Sequence, residues 1–159
     1  MRGMPQQQLD ERALAVWKWS GLISSLISWI VTIFLVFAAF RFNWPWWIAV
    51  IAGVLTLLET LLLVTVLPKR RWQRWRYEIR ENEIDLQHGF IFQKRTVIPM
   101  VRVQHVDTNQ GPIMRKYGLS SVTFSTAAGN HEIPALANEL ADKVRDQIAE
   151  LARVSHEDI

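Results

Sequence analysis

The sequence predicts an α+β protein, in which a two-helix transmembrane hairpin precedes an antiparallel β-sheet capped by a C-terminal α-helix. Two long apolar runs, at residues 19–40 and 46–68, are separated by only five residues. Between residues 77 and 133, short stretches alternate apolar and polar side chains, which is the period of β-strands. From Asn138 the apolar side chains recur with helical spacing instead.

The first apolar run has the length of a membrane span. No charged residue occurs from Trp19 to Phe40, and these 22 residues form about 33 Å of helix, enough to cross a hydrocarbon core of about 30 Å. A cleaved signal peptide is the alternative, but its apolar region would be only about 7–15 residues long, and here a second span follows. Pro45, in the connecting loop 41–45, can begin a helix and breaks a continuous one.

Tryptophan and basic residues predict how the hairpin is oriented. Seven of the eight Trp flank the predicted crossings, where indole rings favour the membrane–water interface. The N-terminal flank, residues 1–18, has three Lys or Arg (Arg2 among them), segment 69–76 has five, and the loop has Arg41 alone. Because Lys and Arg are enriched on the cytoplasmic side, both termini are predicted to be cytoplasmic, together with the domain at 77–154.

The basicity of the chain is local. The whole chain has a formal net charge of only +3, yet segment 69–76 alone carries five positive charges. Beyond this segment, acidic residues outnumber basic ones. This distribution excludes the broad basic face of a nucleic-acid-binding protein. The segment sets topology and can contact anionic lipid headgroups, and a specific lipid site remains an open alternative. The headgroup candidates are Lys69, Arg70, Arg71, Arg74, Arg76, Lys94 and Arg95.

Glu59 is the one acidic residue inside the predicted spans. Small and hydroxyl residues lie on one face of the first span at Ser25, Ser28 and Thr32, and an antiparallel hairpin places Glu59 level with about Ser28. The favoured interpretation is a neutral, hydrogen-bonded carboxyl that packs the hairpin, or one hairpin against another. A proton or cation pathway, and pairing with a basic residue of another membrane protein, are the alternatives.

The domain at 77–154 begins with strand-like alternation at Tyr77 and ends with an amphipathic helix. Residues 90–99 are expected to form one of the longer strands, with Lys94 and Arg95 exposed. Leu140, Val144, Ile148 and Leu151 are expected to form the buried face of the helix, with Asn138 as its N-cap. The turn signals that separate the strands lie at residues 81–82, 88–89, 111–112 and 127–130.

One stretch of this domain resembles the bacterial pleckstrin-homology (PH) domain family. It reads IPMVRVQHVDT at 98–108, QGP at 110–112, RKYGL at 115–119 and VT at 122–123. The layout of two spans before one such domain is similar to a group of bacterial membrane proteins in this family, so the resemblance covers essentially the whole chain. The motif residues are Pro99, Arg102, Gln104, Asp107, Gln110, Gly111, Pro112 and Gly118.

The resemblance implies a bent sheet of about seven strands with a C-terminal helix, in a multi-pass protein of the bacterial inner membrane. It implies little about activity, because one fold carries many functions. PH-like domains that bind inositol phosphates carry basic residues at the first strand turn, whereas residues 80–83 (RENE) include two acids. The motif around Gln104 and Gln110 is expected to shape the domain rather than to read a ligand.

No catalytic or metal-binding pattern appears in the sequence. The chain has no Cys, its four His are scattered, and it lacks a Gly-rich phosphate loop. We therefore expect no enzyme activity, no cofactor and no nucleic-acid partner. The expected function is a scaffold or assembly partner for membrane proteins at the inner leaflet, with membrane lipids, another membrane protein or a second copy as partners. The alternatives are a module that binds anionic lipid headgroups and a small transporter subunit that uses Glu59.

Overall fold

A computed structural model of the chain describes residues 4–157, so Arg2 of the predicted basic flank lies outside the described residues. The chain divides into two compact units. Residues Leu14–Arg70 form a helical unit, and the described residues 4–13 join residues 71–157 in a sheet unit. The predicted α+β class is confirmed.

The helical unit is an antiparallel pair of long helices. Helix α1 spans Ala13–Arg41, and α2 spans Trp46–Leu61 and continues through a π-helical turn, Leu62–Val66, into α3, Leu67–Arg74. Both continuous helices are long and apolar enough to cross a membrane. A core helix of a soluble protein would be mostly buried, whereas only 17% and 6% of the two apolar windows are buried.

The helices extend beyond the apolar runs that predicted them. Helix α1 begins six residues before Trp19, because residues 13–18 (ALAVWK) contain no Gly or Pro and readily continue the helix. The second helix passes Pro68, which has no N–H for the carbonyl four residues earlier, and the wider π turn ends two residues before this proline. Gly21 permits close packing, since a Cβ there would lie 2.6 Å from the backbone oxygen of Leu63.

The sheet unit contains two antiparallel sheets. The elements are β1 Gln7–Gln8, β2 Arg76–Ile79, β3 Glu83–His88, β4 Lys94–Pro99, β5 Val103–Asn109, α4 Pro112–Lys116, β6 Leu119–Thr126, β7 Gly129–Ala137 and α5 Asn138–Glu157. The first sheet has the order β1-β2-β3-β4, and the second has the order β5-β6-β7. Helix α4 lies before β6, and α5 packs on β5, β6 and the 3₁₀ turn Met100–Arg102.

Alternation along the strands gives the core of this unit. Tyr77 lies opposite Leu86, and Val122 lies opposite Ile133, and all four side chains are buried. The helix α5 starts at Asn138, as expected, but its buried face differs from the prediction. Leu140 is exposed and Leu151 is half-buried, so these two assignments were wrong. Val144 and Ile148 are buried as predicted, and Ala141 and Ala152 complete the buried face, because alanines allow the helix to approach the sheet closely.

Two further features differ from the sequence-based reading. The strand expected at 90–99 begins only at Lys94, because residues 89–93 form the turn between β3 and β4. Gln7–Gln8, placed by sequence in a simple flank, pairs with Arg76 and Tyr77 as an edge strand. The sheet unit therefore has seven strands, one from the N-terminal segment and six from the region after residue 75.

Candidate functional site

A polar depression lies between strand β5, the start of β6 and helix α5. Its volume is about 470 Å³ and it is open to solvent. The sequence motif contributes Asp107 and Gln110 to its wall, so part of the family resemblance maps onto this one surface. The lining residues are Val106, Asp107, Thr108, Gln110, Ser120, Asn138, Asp142 and Arg145.

Hydrogen bonds among the lining residues account for most of the polar groups in the depression. Gln110 Nε2 donates to the backbone oxygen of Leu119 at 2.9 Å and lies 3.0 Å from the side-chain amide of Asn138. The side-chain amide of Asn138 also lies 2.7 Å from Ser120 Oγ. Since Asn138 begins α5, these contacts join the end of β5, the start of β6 and the helix.

The charged rim of the depression is also internally paired. Arg145 Nη1 donates to Thr108 Oγ1 at 3.1 Å and to Asp142 Oδ1 at 3.0 Å, and Asp146 lies 2.8 Å from the guanidinium. Hydrogen bonding to Asp146 raises the pKa of Arg145 above its ordinary value. The arrangement stabilises the junction of strand and helix, and it supports the expectation that this part of the motif shapes the domain.

The remaining motif residues lie at the ends of elements or at an irregularity within a strand. Pro99 ends β4 and Arg102 ends the 3₁₀ turn, and Gln104 occupies a register shift in β5. Gly111 and Pro112 begin α4, where proline is favoured because the first helical N–H has no intrahelical acceptor.

Gly118 has φ +65°, a conformation that favours glycine, and its carbonyl accepts the backbone N–H of Asn138 at 3.1 Å. It thereby links the turn after α4 to the start of α5.

The seven predicted headgroup candidates differ in exposure and in their contacts within the protein. Lys69, Arg70 and Lys94 are exposed. Arg74 and Arg95 contact protein groups, since Arg74 Nη1 donates to the backbone oxygen of Phe90 at 2.7 Å and Arg95 forms an ion pair with the buried carboxylate of Asp85. The Asp85 hydrogen bond raises the pKa of Arg95. Arg71 is exposed in the last part of the helix, and Arg76 is half-buried in β2.

Two features of the sheet unit were missed by sequence reasoning. One is the loop between β3 and β4, where Phe90, Ile91 and Phe92 are exposed. The signal for it was present, because Gly89 follows a strand and no polar residue alternates with these three apolar ones. The other is the attachment of the N-terminal segment, for which the sequence carries no strand-like alternation.

Arg12 attaches the N-terminal segment to the turn after α4. Its Nη1 donates to the backbone oxygen of Tyr117 at 3.0 Å, while its Nη2 pairs with Asp10 at 2.9 Å. The Arg12 hydrogen bond holds the pKa of Asp10 below its usual range. Residues near Asp10 therefore belong to the sheet unit through contacts distant in sequence.

The polar residues of the helical unit lie along the contact between its two helices. Thr32 and Thr56 are buried and their hydroxyls are 2.5 Å apart, and Trp29 Nε1 donates to Thr60 Oγ1 at 3.1 Å. Ser28 Oγ donates to Glu59 Oε1 at 3.0 Å. Glu59 nevertheless remains exposed at the side of the pair. Ser25 is buried and bonds within its own helix, to the backbone oxygen of Leu22.

Metal binding finds no support among residues 4–157, where no three His, Asp or Glu side chains converge in a way that could hold an ion. His105 and Asp107 both lie exposed on β5, two residues apart, as the strand period predicts.

Comparisons with known proteins agree with the fold. The model of the family described as "Bacterial PH domain" matches residues 13–152. The chain is 44% identical to the UPF0699 transmembrane protein YdbS of Bacillus subtilis (strain 168), over the full length of both chains. It is 25% identical to the UPF0699 transmembrane protein YdbT of the same organism over 80 residues, half of this chain and 16% of that one.

No solved structure matches the chain. The family match includes both long helices as well as the sheet unit, and the full-length relative is named a transmembrane protein. The resemblance in residues 98–123 is therefore confirmed, and the chain belongs to the bacterial PH domain family of transmembrane proteins.

Proposed function

We propose that this protein is a non-enzymatic, multi-pass protein of the inner membrane, with both termini in the cytoplasm, and that it assembles with another membrane protein or with a second copy. The supporting observation is the position of Glu59. Its carboxyl accepts one hydrogen bond from Ser28 while the side chain stays exposed at the side of the helix pair.

An exposed carboxyl in the hydrocarbon core is unfavourable in either protonation state. A charged side chain at the centre of a membrane helix costs about 2.5–3.5 kcal/mol or more, and a neutral carboxyl still has a donor and acceptors that lipid tails cannot satisfy. A polar group from a neighbouring helix would satisfy them. Membrane helices associate through this kind of interhelical hydrogen bond.

Trp29, Thr32, Thr56 and Thr60 already form hydrogen bonds within the pair. Thr32 and Thr56 are buried against each other, and Thr56 also donates to the backbone oxygen of Ala52. The small-residue face therefore packs α1 against α2, and the assembly surface centres on the outer side of Glu59. The short connection after the second span supports the same role. Strand β2 begins only eight residues after Pro68, so the connection keeps the sheet unit close to the bilayer.

Photo-cross-linking of the full chain in its native membrane tests the proposal. A photoreactive amino acid at Leu55, an exposed position one turn from Glu59, captures whatever lies beside that face. We expect one reproducible protein adduct, whose mass distinguishes a second copy from another protein. The Glu59→Leu variant should lose most of the adduct, and Glu59→Gln should retain part of it because the amide still forms hydrogen bonds.

Thr65→Leu is the matched control. Thr65 is also polar and exposed on the second helix, but its hydroxyl is satisfied within that helix by the backbone oxygen of Leu61. This variant should keep the wild-type adduct. Absence of any protein adduct, or an adduct unchanged by Glu59→Leu, would contradict the proposal.

Binding of anionic lipid headgroups is a second candidate function, favoured by the exposed side chains of Lys69, Arg70 and Lys94. Native mass spectrometry of the purified full chain would then show retained anionic lipid. The double variant Lys69→Glu and Arg70→Glu should reduce that retention. Equal retention of anionic and zwitterionic lipids by the unmodified protein would argue against this function.

A further inference from the structure

The turn between β3 and β4 exposes three consecutive large apolar side chains. Phe90, Ile91 and Phe92 are 42%, 74% and 86% exposed. No other run of three large apolar residues is exposed among the described residues of the sheet unit. Two of the three are aromatic, and contiguous exposed apolar surface of this kind marks a site of contact with a partner or a membrane.

The backbone of this turn is closely constrained. His88 and Lys94 form the last pair of the β3–β4 ladder, so only five residues connect the strands. Gly89 has φ +138°, and a Cβ at this position would lie 1.9 Å from the backbone oxygen of Phe92. The three apolar side chains therefore project from a tight turn that depends on glycine.

Arg74 connects this turn to the chain that leaves the membrane. Its guanidinium donates to the backbone oxygen of Phe90 at 2.7 Å. Arg74 is six residues beyond Pro68 in a continuous helix, which corresponds to a rise of about 9 Å. The headgroup region on each side of a bilayer is about 5–8 Å thick, so a helix that leaves the membrane perpendicularly would place the Arg74 backbone just outside its outer edge, with the Phe90 backbone beside it.

The charges around the turn complement an anionic lipid surface. Lys94 follows the turn directly and is exposed, and Arg74 binds the backbone oxygen of Phe90 at the start of the turn. Apolar side chains that enter the boundary between headgroups and acyl chains commonly have basic residues beside them, because the cations contact the phosphates while the apolar groups leave water.

We propose that Phe90, Ile91 and Phe92 form a membrane-inserting loop, which enters the headgroup–acyl boundary of the leaflet next to the sheet unit while Arg74 and Lys94 face the phosphates. The loop would give the domain a second attachment to the bilayer in addition to its covalent tether. Its orientation would then be restricted relative to the membrane plane. This inference is independent of the assembly surface at Glu59.

Depth-dependent fluorescence quenching of the full chain in vesicles tests the loop directly. The natural sequence has no Cys, so Ile91→Cys provides a unique site for an environment-sensitive probe at a solvent-exposed position. Ala128→Cys, in the exposed turn between β6 and β7, is the matched control. The vesicles contain phosphatidylglycerol and phosphatidylethanolamine, with lipids brominated at shallow or deep acyl positions, and iodide serves as the aqueous quencher.

We expect shallow brominated lipids to quench the probe at 91 at least about three-fold more than the probe at 128, with iodide showing the opposite order. A probe at 91 that iodide quenches as strongly as the probe at 128 would overturn the proposal. Protection of residue 91 from both quenchers would also overturn it, because a protein surface would then cover the loop. None of these outcomes depends on the adduct at Glu59.

Discussion

The indole Nε1 of Trp72 donates hydrogen bonds to the backbone oxygens of Leu9 and Asp10, at 3.1 and 3.2 Å. This tryptophan follows the second apolar run, where the sequence suggests an interfacial anchor. In the structure its polar edge binds the segment that precedes the first helix. The two ends of the hairpin are thereby joined within the sheet unit, in which Leu9 is buried and Gln8 pairs with Arg76.

Trp72→Phe should loosen this N-terminal segment. Phenylalanine keeps most of the apolar contact and removes the donor, so the expected loss is about 0.5–1.5 kcal/mol of local stability. Hydrogen exchange at residues 7–10 should accelerate, and trypsin should cleave faster after Arg12. Trp44→Phe, at the exposed hairpin tip, is the control and should leave both rates unchanged. Wild-type exchange in the Trp72 variant would mean that these hydrogen bonds do not hold the segment.

Asp85→Asn should destabilise the first sheet. Asp85 is 0% exposed and accepts hydrogen bonds from Arg95 Nε at 3.0 and 3.1 Å, together with one from Nη2. Asparagine has one acceptor oxygen instead of two, no negative charge, and an NH2 group that would face a guanidinium N–H, so the free energy of unfolding should fall by about 1.5–3 kcal/mol. Thermal unfolding of the full chain in detergent measures the change.

A solvent-exposed ion pair provides the comparison for Asp85. Glu150 and Arg153 are 61% and 60% exposed on α5, where water screens their attraction. Glu150→Gln should therefore leave the unfolding temperature unchanged. Equal effects of the two substitutions would show that burial does not strengthen the Asp85–Arg95 pair.

The stability of the sheet unit should fall as the pH decreases below about 6.5, because of His88. Its ring stacks on Trp75 with centroids 5.5 Å apart, and burial, followed by repulsion from Lys94, Arg71 and His131, lowers its pKa below the ordinary 6.5. The unfolded chain therefore binds a proton at a pH where the folded chain does not. Stability should rise with pH up to the unfolded pKa and the His88 contribution should be constant above it.

Unfolding of the His88→Phe variant measured from pH 5 to pH 8 isolates this contribution. The variant retains a ring that can stack on Trp75 and loses the titrating group, so its stability should change less between pH 5 and 6.5. His105→Phe, an exposed substitution on β5, should keep the wild-type pH dependence. A His88→Phe profile that parallels the wild-type profile would contradict the assignment.

Gly89→Ala should distort the turn between β3 and β4. The new Cβ would clash with the backbone oxygen of Phe92. The φ of +138° would also be strained for alanine. Gly129→Ala is a closely matched control, since Gly129 has φ +137° and nothing within 4 Å of the added atom. Both variants should lose stability, and Gly89→Ala should lose more. Thermal unfolding that ranks them in the reverse order would show that the Phe92 contact is readily relieved.

Local pattern was sufficient to predict the class of most elements. The uncharged run from Trp19 to Phe40 predicts a long helix because intrahelical hydrogen bonds are the available way to satisfy a backbone in hydrocarbon. The alternation from Tyr77 predicts antiparallel strands because one side of each strand must be buried. The resemblance at residues 98–123 similarly depends on short segments, several of which reverse the chain.

The prediction was wrong where packing between distant segments decides the outcome. The buried face of α5 uses Ala141 and Ala152 rather than Leu140 and Leu151, because the distance between helix and sheet selects small side chains. The strand expected from Phe90 starts four residues later, because its first residues form a turn whose backbone is bonded to Arg74.

The sequence by itself determined the two apolar helices, the following sheet and the family, because these depend on hydrophobic period and on residues close together in the chain. Tertiary structure alone decided that Gln7–Gln8 is a strand, that Trp72 binds Leu9 and that Asp85 is the partner of Arg95. The physical reason is that each of these contacts joins residues from different parts of the chain. The residues next to each group in sequence would allow a different backbone conformation or a different partner equally well. Only burial and hydrogen bonding supplied from elsewhere in the chain select the observed one.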